Sequence, residues 1–297
     1  MKSFADLKQR VLARGHKKVI ALAAAADTAA LEAIRDARTE LGVGYILVGD
    51  KTEILAAAQK ARFDVDENKI LQADSEAGAA AAAVHLVKER SADILMKGKL
   101  QTGVLLKAVV DKEKGIRRGG LMSHMAVLES PNYHKLIYIT DGGMVTSPNL
   151  EQKQAILDNS LGFLVGLGYE TPKVAALAAV EVVNEKMPET VDAQELAKLN
   201  LSGKIPGCII EGPLSFDLAI SRESAKIKGI ESRVAGDADI FLTPDIATGN
   251  IMSKALIYLG NAKMAGCVLG AAAPIILVSR GASAEEKMLS ILLTMAV

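Results

Sequence analysis

The chain has 297 residues, of which half are hydrophobic and 24% are charged. Lys plus Arg and Asp plus Glu each number 35, so the formal net charge is zero. This balance argues against a general binder of nucleic acid or of membrane surfaces, and an aromatic content of 3% without Trp disfavours base-stacking platforms. The apolar fraction excludes a disordered chain, and the length predicts one large or two medium domains.

The mean hydropathy of +0.23 requires a test for membrane spans. The longest uncharged stretch, 264–279, is shorter than the roughly 20 residues that a spanning helix needs, and Gly and Pro interrupt it. The N-terminal residues mix acids and bases and contain no apolar targeting segment. Two distant cysteines cannot form a zinc cluster or a disulfide framework. We therefore expect a cytoplasmic protein that is not associated with a membrane.

The first part of the chain alternates between helix-type and strand-type patterns. Phe4, Leu7 and Val11 recur at helical spacing after Ser3, which can cap a helix. Strand-like runs and helical segments then follow one another, with strands at 19–23, 45–48, 69–72 and 94–96 and helices at 27–42, 52–62 and 75–90. This alternation indicates βαβ units, right-handed crossovers and a largely parallel sheet.

The pattern changes after Gly120. Two apolar runs, 122–128 and 136–140, are separated only by a turn, which predicts an antiparallel pair inside a mixed sheet. Asn149 and Gln152 form a predicted capping box that opens a long helix. The remaining predicted strands are 173–183, 208–210, 240–242 and 275–278, and the remaining predicted helices are 192–199, 249–259 and 283–295.

Two loops that follow predicted strands could bind a ligand, because sites in open α/β sheets form at the carboxyl ends of strands. In the segment 95–103, Lys97 and Gly98 follow a strand, and a helix begins near Thr102. Glycine lets a ligand approach the backbone, and the free amides at the start of a helix favour an anion. The alternative is a tight turn with solvated lysines. In the segment 140–149, Asp141 and two glycines break a strand sharply, and the alternative is an ordinary turn followed by a helix cap.

Two later loops have the same character. In the segment 242–251, Thr248, Gly249 and Asn250 precede or open a helix, where polar side chains and free amides can converge on an anion. In the segment 275–287, a strand leads directly into Ser279 and Arg280, and the guanidinium fork of Arg suits phosphate. Glu286 lies three residues after Ser283, so a capping box is its alternative explanation.

Several common sites are excluded by the sequence. It contains no G-x-S-x-G elbow, no GxxxxGK[ST] loop and no Gly-rich dinucleotide fingerprint after the first strand. Its four histidines, at positions 16, 85, 124 and 134, show no metal-binding spacing. Cys208 and Cys267 lie in apolar runs that are typical of small core residues. We therefore expect neither a metal nor another cofactor.

Four segments together resemble the phosphate acetyl/butyryltransferase family. They are DGGMVTSPNLEQK, EGPLSFDLAIS, ADIFLTPDIATGNI and ILVSRGAS, and they occur in the family's order and at similar spacing. The resemblance covers nearly the whole chain. The compact length and the Asp-Gly-Gly-Met turn are more like the butyryl branch than the acetyl branch.

The resemblance implies a fold like that of isocitrate and isopropylmalate dehydrogenases, with two α/β domains of mostly parallel sheet and flanking helices. We expect residues 1–141 with 270–297 to form one domain and residues 142–269 to form the other, with an active-site cleft between them. The resemblance also implies a homodimer. The implied reaction is reversible acyl transfer, in which acyl-CoA and inorganic phosphate give acyl phosphate and CoA.

The resemblance also implies roles for particular residues. Ser279 and Arg280 match a serine and an arginine that stabilise the reacting acyl phosphate, and Glu286 matches an acid that acts as base toward the CoA thiol. That acid is Asp in the acetyl branch, so the side chain here is one methylene longer. The predicted CoA- and phosphate-binding residues are Lys97, Gly98, Thr102, Arg118, Asp141, Thr248, Gly249 and Asn250.

Three alternatives remain open from the sequence. Acetyl-CoA could be the preferred substrate. A hydroxyacid dehydrogenase would need a carboxylate cluster for Mg²⁺ or Mn²⁺, and Asp237, Asp239 and Asp245 are close in sequence. A catalytically inactive CoA-binding protein is the non-enzyme alternative.

Overall fold

The computed structural model describes residues 1–15, 17–279 and 281–297 and divides the chain into two compact units. Unit I comprises Phe4–Gly120 and Ala265–Val297, and unit II comprises Met1–Ser3 and Leu121–Met264. The sequence-based boundaries at 141 and 270 differ from these, because they assign the two strands after Gly120 to the first domain and residues 265–269 to the second. His16 and Arg280 lie outside the described residues.

Helices and strands alternate through most of the chain. The bounds up to residue 140 are α1 Phe4–Arg14, β1 Val19–Ala23, α2 Thr28–Leu41, β2 Gly44–Gly49, α3 Lys51–Lys60, β3 Ile70–Gln72, α4 Glu76–Lys88, β4 Ile94–Lys97, α5 Thr102–Val109, β5 Ser123–Glu129 and β6 Ile137–Thr140. The later bounds are α6 Leu150–Gly166, β7 Lys173–Leu177, α7 Pro188–Leu201, β8 Ile209–Leu214, α8 Phe216–Ile220, α9 Arg222–Ile227, β9 Ile240–Leu242, α10 Ile246–Tyr258, β10 Lys263–Leu269, β11 Ile275–Ile276 and α11 Ala284–Met295.

The strands of unit I lie in the order β3-β2-β1-β4-β11-β10. Neighbours from β3 to β11 are parallel, and β10 pairs antiparallel with β11. Strands β1 and β4 are almost entirely buried, as expected for parallel strands covered by helices. The chain runs from β1 outward through β2 and β3 and then returns to place β4 on the other side of β1. This reversal is the topological switch point of the unit.

The strands of unit II lie in the order β5-β6-β9-β7-β8. The predicted antiparallel pair is confirmed, since β5 and β6 pair antiparallel, whereas β6, β9, β7 and β8 are parallel. The mixed α/β class predicted from the sequence is therefore confirmed. Within the described residues, no helix combines the length and apolar character that crossing a bilayer requires.

Local capping signals set several helix ends as predicted. The Asp27 side chain accepts a hydrogen bond from the Ala30 amide at 3.0 Å and begins α2, and Gly42 ends it in the left-handed conformation at φ 71°. The capping box of Asn149 and Gln152 is present at the start of α6.

Other boundaries were predicted wrongly. The predicted strand 173–183 ends at Leu177, which pairs with Leu214, the last residue of β8, and Val182 further along is 70% exposed. The apolar run continued past the point where strand partners are available. Strand β8 extends through Gly212 and Pro213 to Leu214, which apolar patterning did not indicate. Strand β10 and the short helices α8 and α9 were missed.

Candidate active site

A cavity of about 300 Å³ lies in unit I at the carboxyl ends of β1, β4 and β11. It is therefore at the topological switch point, where open α/β sheets bind ligands. The cavity is lined by Asp27, Glu76, Lys97, Gly98, Lys99, Leu100, Gln101, Val278, Ser279 and Lys287. The structure thus brings together the first and fourth loops that the sequence singled out.

Lys97 is the last residue of β4 and is only 5% exposed. Its Nζ donates hydrogen bonds to the carbonyl oxygens of Gly98 and Leu100, both at 3.1 Å. The alternative of a solvated lysine is therefore wrong at this position, although Lys99 is exposed. A buried ammonium at the rim of a cavity raises the local positive potential for an anionic ligand.

Gly98 is required by the packing of the backbone. A Cβ at this position would lie 2.3 Å from the carbonyl oxygen of Ala24 and 2.7 Å from that of Ala23. The Gly98 and Lys99 amides donate to these two oxygens, both at 2.8 Å. The glycine predicted to let a ligand approach thus joins the ends of β1 and β4, and it also lines the cavity.

Lys287 and Asp27 are two lining residues that the sequence reasoning missed. Lys287 is 3% exposed, and its Nζ lies 3.2 and 3.4 Å from the two carboxylate oxygens of Asp27. The signal was present in the sequence, because Lys287 shares helical spacing with the buried residues Ser290, Ile291 and Thr294 of α11. A lysine on the buried face of a helix is an exception that calls for a partner or a ligand.

The predicted catalytic residues differ in how the structure presents them. Ser279 is exposed and lines the cavity, whereas Arg280 lies outside the described residues. Glu286 begins α11 in a capping box with Ser283, because its Oε2 accepts from the Ser283 amide at 2.8 Å and its own amide donates to Ser283 Oγ at 3.1 Å. The capping explanation is confirmed in its geometry, and the role of Glu286 as a base stays a prediction.

Two other predicted binding residues belong to unit I. Thr102 is the first residue of α5, as predicted, and the preceding Gln101 lines the cavity. Arg118 is exposed, and its Nη2 donates to the carbonyl oxygen of Ala272 at 3.3 Å. Neither Thr102 nor Arg118 is among the residues that line the cavity.

In unit II, the second and third predicted loops meet around Asp141. This residue is 2% exposed, and its carboxylate accepts three backbone hydrogen bonds. Oδ1 accepts from the amides of Gly143 and Met144, both at 2.7 Å, and Oδ2 accepts from the amide of His124 at 2.9 Å. The carboxylate therefore holds the turn in the conformation that follows β6.

The glycines of these two loops pack against each other. A Cβ on Gly249 would lie 2.8 Å from the Gly142 Cα, and Asn250 Nδ2 donates to the Gly142 carbonyl oxygen at 3.2 Å. The Thr248 amide donates to Asp245 Oδ1 at 2.7 Å, which caps α10. Several of the polar groups predicted to bind a ligand, among them the Asn250 side chain and the Thr248 amide, thus form hydrogen bonds within the two loops that connect β6 to α10.

Burial shifts the pKa of several titratable side chains. It lowers the pKa of the His124 imidazole, although the nearby Asp141 opposes the shift, so this ring is neutral near pH 7. It raises the pKa of the Cys208 thiol to about 11 and that of the Cys267 thiol to about 12. Both cysteines are core residues, as predicted, and are poorly suited to be nucleophiles.

The acids considered for a divalent cation have other partners. Asp237 binds Lys173, Lys135 and His134, with contacts between 2.7 and 3.0 Å. Asp239 accepts from Lys135 at 2.7 Å, and Asp245 caps α10. In the described ranges, His, Cys, Asp and Glu side chains form no group of three that could hold a metal ion. These acids therefore do not form the cluster that a hydroxyacid dehydrogenase would need.

Comparison with solved structures identifies the class of protein. A branched-chain phosphotransacylase from Enterococcus faecalis V583 is 32% identical in sequence, matches with a TM-score of 0.83, and is covered to 98% of its length by 94% of this chain. The α/β fold with flanking helices is therefore that of a phosphotransacylase.

Sequence comparisons agree with the structural match. The phosphate acetyl/butaryl transferase family matches residues 76–295. A phosphate butyryltransferase from Clostridium acetobutylicum is 44% identical over 99% of this chain and 97% of the relative. A phosphate acetyltransferase from Thermotoga maritima is 41% identical over 95% of this chain and 96% of the relative. The chain belongs to the phosphate acetyl/butyryltransferase family and is an acyltransferase, as the four sequence segments indicated.

Proposed function

We propose that this protein transfers a butanoyl group reversibly between CoA and inorganic phosphate, so that butanoyl-CoA and phosphate give butanoyl phosphate and CoA. The observation that carries the proposal is the 44% identity to a butyryltransferase along nearly the full length of both chains. The cavity at the switch point of unit I supports it, because two buried lysines and the Ser279 hydroxyl border a space suited to an anion.

The chemistry requires stabilisation of negative charge at the acyl carbon. A phosphate oxygen attacks the carbonyl carbon of the thioester, and the resulting tetrahedral intermediate carries an oxyanion. Collapse of this intermediate breaks the C–S bond, and CoA leaves as a thiolate. Ser279 and Arg280 are the proposed donors to the oxyanion, because preorganised donors are most effective where charge develops. Direct transfer within a ternary complex needs no covalent enzyme intermediate.

Glu286 is the proposed base in the reverse direction. The CoA thiol has an ordinary pKa of about 8.5 and must lose its proton before the sulfur attacks acyl phosphate. Within the capping box, Glu286 uses Oε2 to accept from the Ser283 amide. A carboxylate has acceptor sites to spare, so the same residue can cap α11 and receive a proton.

The remaining features of the proposal follow from the family. The reaction uses acyl-CoA, CoA, inorganic phosphate and acyl phosphate as substrates and products and needs no cofactor. We propose that the protein works as a homodimer in the cytoplasm, without nucleic acid or membrane partners. An acetyltransferase is the second candidate, favoured by the 41% identity to the Thermotoga maritima relative.

The test is thiol release from acetyl-, butanoyl- and longer acyl-CoAs, measured with and without phosphate. Release that requires phosphate and is fastest with butanoyl-CoA is the expected result. A preference for acetyl-CoA would instead identify an acetyltransferase. Release that is independent of phosphate would indicate a thioesterase, and no release at all would indicate a CoA-binding protein.

A further inference from the structure

Two buried ammonium groups border the same cavity as Ser279. Lys97 is 5% exposed and Lys287 is 3% exposed, and both line the space at the carboxyl ends of β1, β4 and β11. Burying an ammonium group is costly unless other groups compensate for the lost hydration. Lys97 donates hydrogen bonds to two backbone carbonyl oxygens.

Lys287 is compensated by a single neighbouring residue. Among the described residues, Asp27 is the only hydrogen-bonding partner of its Nζ, at 3.2 and 3.4 Å. An ammonium group carries three N–H donors, and both of these contacts are to the same carboxylate. Asp27 Oδ1 is also used by the Ala30 amide, at 3.0 Å. Lys287 therefore retains capacity to donate to a ligand in the cavity that it lines.

The charge of the cavity wall favours an anion. Its ionisable members are Lys97, Lys99 and Lys287 against Asp27 and Glu76, which leaves an excess of positive charge. A lysine acts on phosphate as a compact point charge, and burial strengthens the attraction because water screens it less.

A second buried Lys–Asp pair shows what a purely structural arrangement looks like in this chain. Lys153 in unit II is 5% exposed, and its Nζ lies 2.7 Å from Asp192 Oδ2. This contact is shorter than either contact between Lys287 and Asp27. The two pairs are similar in burial and composition, so the Lys153 pair is a matched control for effects of charge removal alone.

We propose that the Lys287 ammonium, positioned by Asp27, binds the phosphate group of the substrate in the Ser279 cavity. This inference rests on the proposed function, and it adds a phosphate-binding residue to that site. Lys97 contributes positive potential from the end of β4. Asp27 orients Lys287 and does not itself touch the phosphate.

The test compares Lys287→Met with the double variant Asp27→Asn/Lys287→Met. Asn can still cap α2, and the double variant leaves no unpaired charge, so it is expected to fold even if the single variant does not. Thiol release from butanoyl-CoA is measured while phosphate is varied. Both variants should raise the KM for phosphate at least about tenfold, the range expected for a lost charged hydrogen bond, while the KM for butanoyl-CoA changes less than about twofold. The control Lys153→Met/Asp192→Asn should leave both constants unchanged.

The inference is wrong if the double variant recovers the wild-type KM for phosphate, because Lys287 would then serve only to neutralise Asp27. Titration calorimetry with inorganic phosphate alone separates this failure from a failure of the proposed function. If the wild-type protein shows no phosphate-dependent thiol release, the proposed function fails. The phosphate site is still supported if calorimetry shows that the wild-type protein binds phosphate and that both Lys287 variants do not. Equal phosphate affinity in the wild type, both Lys287 variants and the control would overturn the inference that Lys287 binds phosphate.

Discussion

The Ser279 cavity in unit I and the Asp141 turn in unit II have similar sequence patterns and different chemistry. In each, a buried strand ends in polar residues and glycine, and a helix lies nearby. At the Asp141 turn, one carboxylate accepts from three backbone amides, and Gly142 packs against Gly249. At the Ser279 cavity, two buried lysines and an exposed hydroxyl border an open space.

We infer from this difference that the partners of polar atoms, more than the residue types, indicate whether a loop serves the fold or a ligand. Ligand binding at both regions stays a prediction. A turn whose buried carboxylate accepts three backbone hydrogen bonds contributes to stability. A cavity bordered by buried ammonium groups and a hydroxyl group is a candidate site for an anionic substrate. Substitutions in the first region should therefore change melting more than rate, and substitutions in the second should change rate more than melting.

The largest expected effect concerns Arg280, next to Ser279 in the sequence. We predict that Arg280→Ala and Arg280→Lys each lower kcat by about 10²-fold or more with little change in melting temperature, because lysine retains the charge and loses the guanidinium fork. Steady-state kinetics and thermal melting provide the measurements. A near-normal kcat and phosphate KM in Arg280→Lys would contradict the assignment of this residue to the oxyanion.

The next effect tests the scaffold side of the comparison. Asp141→Ala removes the acceptor for three backbone amides, and we predict a loss of about 3 kcal/mol of unfolding free energy, since unpaired buried donors cost about 1–3 kcal/mol each and the turn can partly relax. Asp141→Asn, which keeps one oxygen acceptor, should lose less. Denaturant unfolding measures both. If Asp141→Ala melts like wild type and yet loses its activity, the structural role assigned to the Asp141 turn is wrong.

Glu286→Gln separates two roles of one residue. Glutamine can still pair with Ser283 in the capping box, so the variant should melt close to wild type, but it cannot accept a proton at neutral pH. We predict a loss of about 10²-fold in the rate that consumes CoA. As a control, Ser283→Ala should cost about 0.5–2 kcal/mol of stability and little rate. If Glu286→Gln turns over like wild type from pH 6 to 9, capping is a sufficient explanation of this residue.

The smallest effect concerns Asp237, a further scaffold residue. Burial alone would raise the pKa of Asp237, but hydrogen bonds from Lys173, His134 and Lys135 outweigh it and hold the pKa well below its usual range. A depressed folded-state pKa gives stability that is present above the ordinary value of 3.8 and is lost as pH falls below it. Asp237→Asn should therefore destabilise the fold by about 1 kcal/mol at pH 5 and by less at pH 2.

The Asp237 prediction is measured by urea unfolding at both pH values. Asp36→Asn is a suitable control, because its pair with Arg35 lies on the surface, with both side chains at least 34% exposed, and such pairs contribute little. A destabilisation by Asp237→Asn that stays constant from pH 5 to pH 2 would show that its carboxylate charge does not stabilise the fold.

The sequence by itself determined the alternation of strands and helices, the antiparallel pair after Gly120, the caps at Asp27, Asn149 and Ser283, and the family. These features depend on residues close together in the chain or on the identity of short segments, so they can be read locally. The strand ends, the pairing of Lys287 with Asp27 and the close approach of Gly98 to the end of β1 were decided only by the tertiary structure. Each depends on which distant segment packs against it. The helical spacing of Lys287 indicates that this residue is buried, but not that it meets Asp27, because the two residues are 260 positions apart.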